Sequence, residues 1–196
     1  MIIIPEKQLI VIMPPRTAST SLKNAVRAAY PRAFMPYRHM EASCVPFGYD
    51  VFQKVGLFRP AYDRMWSLFC YCQQLEADKA EWSAGRARQM RESTKGGFEQ
   101  WLLFNRIPFC TSANFDGSVT PYYSVSHVRP ENLKSQWWYL RPDLGTTCIP
   151  FHDIGRLETL LDIELPHENA ASKDRPPLSA VARGHLLQHM SWEGIQ

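Results

Sequence analysis

Apolar positions run almost without a break through the first thirteen residues, Met1–Ile4 and then Leu9–Met13, interrupted by Pro5, Glu6 and Lys7. Near-continuous apolar character suits a central parallel strand covered on both faces, and it predicts one strand within residues 1–13, at Gln8–Met13. Two prolines stop it. Leu22, Ala25, Val26 and Ala29 then recur at i, i+3, i+4 and i+7, which marks a helix from about Thr20 to Tyr30 that Pro31 ends. A second extended stretch is expected at Ala33–Tyr37, a short helix closing at Val51–Lys54 and a strand at Val55–Phe58. Tyr62, Met65, Trp66, Phe69 and Cys72 or Gln73 define a long amphipathic helix reaching about Ala77. Two strand-to-helix units in succession predict an α/β fold with a parallel sheet and right-handed crossovers.

Further along, Asp78–Thr94 is polar, helix-compatible and weakly periodic, a surface excursion stopped by Gly96 and Gly97. Phe98–Asn105 reads as a short helix and Pro108–Pro121 as a loop. The aromatic-dense run Tyr122–Tyr139 holds His127, Arg129, Lys134, Trp137 and Trp138, and periodicity leaves pocket lining and packing both open. Thr146–Phe151 is a late strand. Asp153 is expected to cap a helix carrying Ile154, Leu157, Leu160 and Leu161. A turn-rich segment, Leu165–Ser172, and the Pro176-Pro177 break precede a last amphipathic helix, Leu178–Met190, with Leu178, Val181, Ala182, His185 and Leu186 on one face.

A chain of 196 residues buries one substantial core, so a single domain over residues 1–196 is expected, with a variable insertion at about 78–145. The formal charge of +3 fits a local anion site better than a duplex-wide footprint, which points away from nucleic acid as a partner. The densest basic run, Arg86–Lys95, is relieved by Glu92 and reads as a solvated helix face. Cys44, Cys70, Cys72, Cys110 and Cys148 form no C-x-x-C pair, which indicates neither a zinc site nor a redox centre; reduced thiols of a cytoplasmic protein are expected. The apolar N-terminal run is too short for a signal segment or a membrane span, so no membrane association is expected.

The chemistry concentrates in the loop Pro14–Ser21, where one Arg and four hydroxyl side chains lead into a helix start. Free N–H groups at a helix N-terminus beside a cation and hydroxyl donors hold phosphate well. The loop has neither the glycines nor the Lys of an ordinary ATP loop. A second basic turn, Arg59-Pro60, follows the Val55–Phe58 strand. Two such turns at the carboxyl edge of a parallel sheet suit a ligand with two phosphates.

Three segments, P-P-R-T-A-S-T-S at 14–21, F-R-P-A-Y-D-R-M-W-S at 58–67, and R-L-E at 156–158 followed by L-P-H-E-N-A-A-S at 165–172, match in order and spacing the sulfotransferases that use 3′-phosphoadenosine 5′-phosphosulfate (PAPS). The chain resembles their carbohydrate branch over roughly residues 8–172. The resemblance implies a P-loop-like three-layer α/β fold, with a central parallel sheet flanked by helices. It implies transfer of a sulfuryl group from PAPS, without a metal, to a hydroxyl of a glycan or other acceptor. Arg16, Thr17, Ala18, Ser19, Thr20 and Ser21 would hold the 5′-phosphate, and Arg59, Ser67 and Arg64 the 3′-phosphate, with Asp63 a local partner for Arg64. Arg16 stands where the family has Lys, which keeps the charge and adds a planar fork. Ala61 stands close to where an Asn is usual, after a Pro that directly follows Arg59.

His39, just after the extended stretch, is the expected general base, since carbohydrate members carry a His there and its ordinary pKa near ~6.5 suits the task. Glu41, two residues on and on the same side of an extended segment, is the competing base. Arg156 and Glu158 are expected to form a buried pair, and His167, Asn169 and Ser172 either to close over the ligand or to serve turn chemistry. Trp137 and Trp138 either stack on a sugar or adenine or pack in the core. Two other classes compete: a P-loop-type kinase for a small metabolite, and a non-catalytic nucleotide-binding module on the same fold.

Overall fold

The computed structural model describes residues 1–74, 84–104, 107–110, 123–128, 136–166 and 174–190. In chain order the elements are β1 (Ile2–Ile4), β2 (Leu9–Ile12), α1 (Ser19–Ala29), β3 (Gln53–Phe58), α2 (Ala61–Gln74), α3 (Ala84–Ser93), α4 (Phe98–Phe104), β4 (Ile107–Cys110), β5 (Tyr123–Val128), α5 (Gln136–Leu140), β6 (Thr147–Pro150), α6 (Ile154–Leu161) and α7 (Ala180–Met190). They fall into two compact units. The first comprises Met1–Arg59, Cys110–Tyr122 and Lys134–Glu168; the second comprises Pro60–Phe109, Tyr123–Leu133 and Asn169–Gln196.

The first unit is a mixed α/β layer structure around a four-stranded sheet of order β1-β2-β3-β6. β2, β3 and β6 are parallel, with Ile12 opposite Gly56 and Gly56 opposite Cys148. β1 runs antiparallel to β2. The apolar start is therefore two strands, not one. Pro5–Lys7 makes a 3-10 turn and Gln8 adopts a left-handed φ of 49°, which folds Ile2–Ile4 back onto Leu9–Ile12. Ala33–Tyr37 is not a strand either. It contributes a single bridge, in which Ile3 N donates to Phe34 O at 2.9 Å and Phe34 N to Ile3 O at 3.1 Å, covering part of the β1 edge. Val51–Lys54 forms no helix, because Gln53 and Lys54 already pair with Leu9 and Ile10 in the ladder.

Period-two alternation sorts the sheet side chains into two cores. Ile2, Ile4, Leu9, Val11, Val55, Leu57 and Ile149 pack on the face covered by Leu22 and Val26 of α1 and Leu157 and Leu161 of α6. Ile3, Ile10, Ile12 and the half-buried Cys148 pack on the other, against Met40, Ala42, Cys44 and the Tyr139 and Leu140 of α5. Gly56 allows that second contact: a Cβ there would collide with Leu140 Cδ2 and meet the Ile12 carbonyl oxygen at 2.8 Å. Trp137 lies 5.1 Å from Phe58, and Trp138 5.2 Å from Tyr139, centroid to centroid, so both indoles are part of this packing.

α2, α3, α4 and α7 of the second unit enclose Met65, Phe69, Cys72, Met90, Phe98, Trp101, Leu102, Ala182 and Leu186. Phe69 meets Trp101 edge-on at 5.4 Å. β4 and β5 pair as a two-stranded sheet, so the loop expected at Pro108–Pro121 begins as strand; residues 111–122 lie outside the described residues. Arg88 and Arg91 on α3 and Lys95 just after it are exposed, and Lys95 pairs with Glu92, a solvated face. α7 buries Ala182 and Leu186 but leaves Val181 70% exposed, so its buried stripe is narrower than the expected face. Among the described residues no helix is long and apolar enough to cross a membrane.

Candidate functional site

β2 ends at the carboxyl edge of the sheet, and the loop that leaves it has an unusual backbone. Arg16 and Ala18 both adopt left-handed conformations, with φ of 69° and 60°, on either side of Thr17. Non-glycine residues seldom take such angles, and two in three residues is a stored cost of the kind found at ligand sites. Alternation of this sort turns successive N–H groups to one side and makes a nest for an anion. Thr17, fully buried, ties the loop by donating from Oγ1 to the Pro14 carbonyl at 2.8 Å. α1 begins directly after Ala18, and no side chain caps it. Its first-turn N–H groups therefore face the same mouth, with Ser19 and Ser21 buried and Ala18 and Thr20 half-buried around them.

Arg59 leaves the end of the neighbouring strand β3. Its guanidinium stacks over the Phe151 ring at 3.5 Å, and burial together with the nearby Arg16 charge pushes its pKa down to about 10. Among the described residues no carboxylate lies within ion-pair distance of Arg59, and its Nε is buried without a hydrogen-bond partner. The two like charges repel each other, and an anion placed beside them would relieve that repulsion. Arg38, which the sequence pattern did not single out, adds a third guanidinium: its Nη2 donates to Thr20 Oγ1 at 2.5 Å.

His39 hangs from the root of the same loop. Its Nδ1 lies 2.8 Å from the Met13 carbonyl, which can only accept, so Nδ1 carries the proton. In neutral imidazole that leaves the basic lone pair on Nε2. The residue is 6% exposed. The Met1 nitrogen donates to the Tyr37 and Arg38 carbonyls at 2.6 and 3.1 Å, which anchors the turn that presents it.

Glu41 does not share a strand face with His39, because His39 sits in a turn and Glu41 precedes the 3-10 turn Ala42–Cys44. It is fully buried. Oε1 accepts from Ser43 Oγ at 2.5 Å and from Cys44 Sγ at 3.6 Å, which commits that oxygen to its own turn.

Ser67 and Arg64 lie in the second unit, on α2, and both are 2% exposed, so Arg64 is not a surface side chain. Asp63 is not its partner; Asp63 pairs with Arg175, which also lies over Tyr62. The expected Arg156–Glu158 pair is absent: Arg156 is exposed, and Glu158 Oε1 accepts from Leu165 N at 2.8 Å, closing the turn after α6. Asp153 occupies the N-cap of α6 without a side-chain capping bond. His167, Asn169 and Ser172 lie outside the described residues.

A hollow of about 530 Å³ lined by Glu158, Thr159, Asp162, Ile163 and Glu164 lies at the far end of α6. Asp162 reaches Lys7 of the β1–β2 turn at 4.0 Å, which places that hollow at the amino edge of the sheet, opposite the loop. Among the described residues no group of three or more His, Cys, Asp or Glu side chains is placed to hold a metal ion. No family model, curated protein or solved structure matches the chain.

Proposed function

We propose that this chain is a PAPS-dependent sulfotransferase with a P-loop-like α/β fold, acting on a hydroxyl of a carbohydrate. The observation that carries the reading is the convergence, at one sheet edge, of the Arg16–Ala18 nest, the Arg16 and Arg59 charges, and a His39 whose tautomer is set by the Met13 carbonyl. In this reading His39 Nε2 takes the proton of the acceptor hydroxyl. The acceptor oxygen bonds to sulfur as the bond from sulfur to the 5′-phosphate oxygen breaks. The electron pair goes to that phosphate, and adenosine 3′,5′-bisphosphate leaves. Little covalent help is needed; positioning and cations on the leaving phosphate supply the catalysis. A cytoplasmic setting goes with this reading.

The test is thermal melting with adenosine 3′,5′-bisphosphate, ATP and inorganic phosphate, followed by transfer of labelled sulfate from PAPS across a panel of glycans, lipids and small phenols. A ligand selective for the folded state at one hundred times its Kd adds about 2.7 kcal/mol. The bisphosphate is expected to raise the melting temperature well above ATP or phosphate. Equal shifts for all three, or none, refute the reading, and Mg²⁺-dependent turnover of ATP would favour the kinase class.

One observation favours a second reading. His39 is almost wholly buried, which suits a nucleotide-binding module without transfer activity. Selective bisphosphate binding with no labelled product on any acceptor would decide for it.

A further inference from the structure

Gln136 opens α5 and is fully buried. Its side-chain amide meets the backbone of Arg59 twice: Arg59 N donates to Oε1 at 2.7 Å, and Nε2 donates to Arg59 O at 2.6 Å. The ladder between β3 and β6 ends one residue earlier, at Phe58 opposite Pro150. At Arg59 a primary amide thus takes the place of a neighbouring strand and satisfies both backbone groups. A carboxylate has no donor for the Arg59 carbonyl and an ammonium no acceptor for its N–H, so the fork requires Asn or Gln chemistry.

We propose that Gln136 is the positioning residue of the anion site, acting through Arg59 and not by touching the ligand. The proposal rests on the bisphosphate reading above. Phe151 supports the guanidinium from one side at 3.5 Å, and Gln136 holds the backbone from which it projects. Together they restrict a long side chain that would otherwise sample many rotamers, so less ordering remains to be done when the anion arrives. α5 is tied in this way to the end of β3.

The test is a double-mutant cycle on the full chain, read by calorimetric titration with adenosine 3′,5′-bisphosphate. Gln136→Met keeps the volume and removes both bonds; Arg59→Met removes the charge. Gln136→Met is expected to weaken binding about tenfold in the wild-type background and not at all in the Arg59→Met background, because its effect runs through Arg59. Gln136→Glu, which keeps an acceptor for Arg59 N but sets a buried charged oxygen against Arg59 O, is expected to weaken binding at least as much as Gln136→Met. A merely structural Gln136 would lower the melting temperature while leaving affinity unchanged, or would cost the same affinity in both backgrounds; either result overturns the proposal. A wild-type protein that does not bind the bisphosphate refutes the nucleotide reading itself, at the first titration, and the positioning role falls with it.

Discussion

Arg59→Met should make the empty protein more stable and the ligand-bound protein less so. Burial and Arg16 pull the Arg59 guanidinium down to about 10 from its ordinary range, so its charged form costs the fold free energy. Each tenfold change in proton affinity corresponds to about 1.4 kcal/mol, which sets a ceiling of roughly 3 kcal/mol on that cost. Arg59 is half-buried, and solvent screening reduces the figure. Its stacking on Phe151 returns ~1 kcal/mol more, which Met recovers only in part. A net gain of about 1 kcal/mol remains, or roughly 2–4 °C in melting temperature for a chain of this size. The sign with pH is fixed as well. Arg59 is lowered in the folded state, so the unfolded chain binds its proton more tightly above about pH 10, and wild-type stability rises there with pH by this contribution. The variant lacks that rise. Calorimetric melting with and without adenosine 3′,5′-bisphosphate checks both halves. A variant that melts lower than wild type and keeps the full ligand shift would refute the reasoning, since Arg59 would then be a structural cation with no call on an anion.

His39→Ala is expected to lower sulfate transfer about a hundredfold or more while leaving bisphosphate affinity nearly unchanged; full activity would remove His39 from the chemistry. Gly56→Ala drives a methyl against Leu140 and the Ile12 carbonyl and should cost about 1–3 kcal/mol, read as a lower denaturation midpoint with unchanged slope. Burial pushes the Cys148 thiol up to about 11, so it should resist iodoacetamide at pH 9 in the native protein and react once unfolded. Because its folded pKa is the higher one, the associated stability is lost as pH rises toward 11, not as it falls.

The central strand and first helix were readable because both are written in local periodicity. Leu9–Ile12 is apolar at every position and buried at every position, and Leu22 and Val26 sit where a 3.6-residue period puts them. Ile2–Ile4 carries the same apolar signal, yet its direction depends on a left-handed Gln8 and a 3-10 turn that no composition rule specifies. Arg38 and Gln136 were missed for a related reason. Each acts across a sequence separation of 18 or 77 residues, and nothing in the neighbouring residues marks them. Arg156 failed in the opposite sense: a short motif suggested a buried pair, but its place on α6 turned it to solvent.

By itself the amino-acid sequence determined which segments are apolar, where prolines break them, and that a basic, hydroxyl-rich loop follows the central strand. Period and steric restriction act over a few residues, and a linear reading captures them. Tertiary structure alone decided that Arg16 and Arg59 repel each other, that His39 docks on the Met13 carbonyl, and that a buried Gln136 completes the end of β3. Those are long-range contacts, set by which strands pair and at what register.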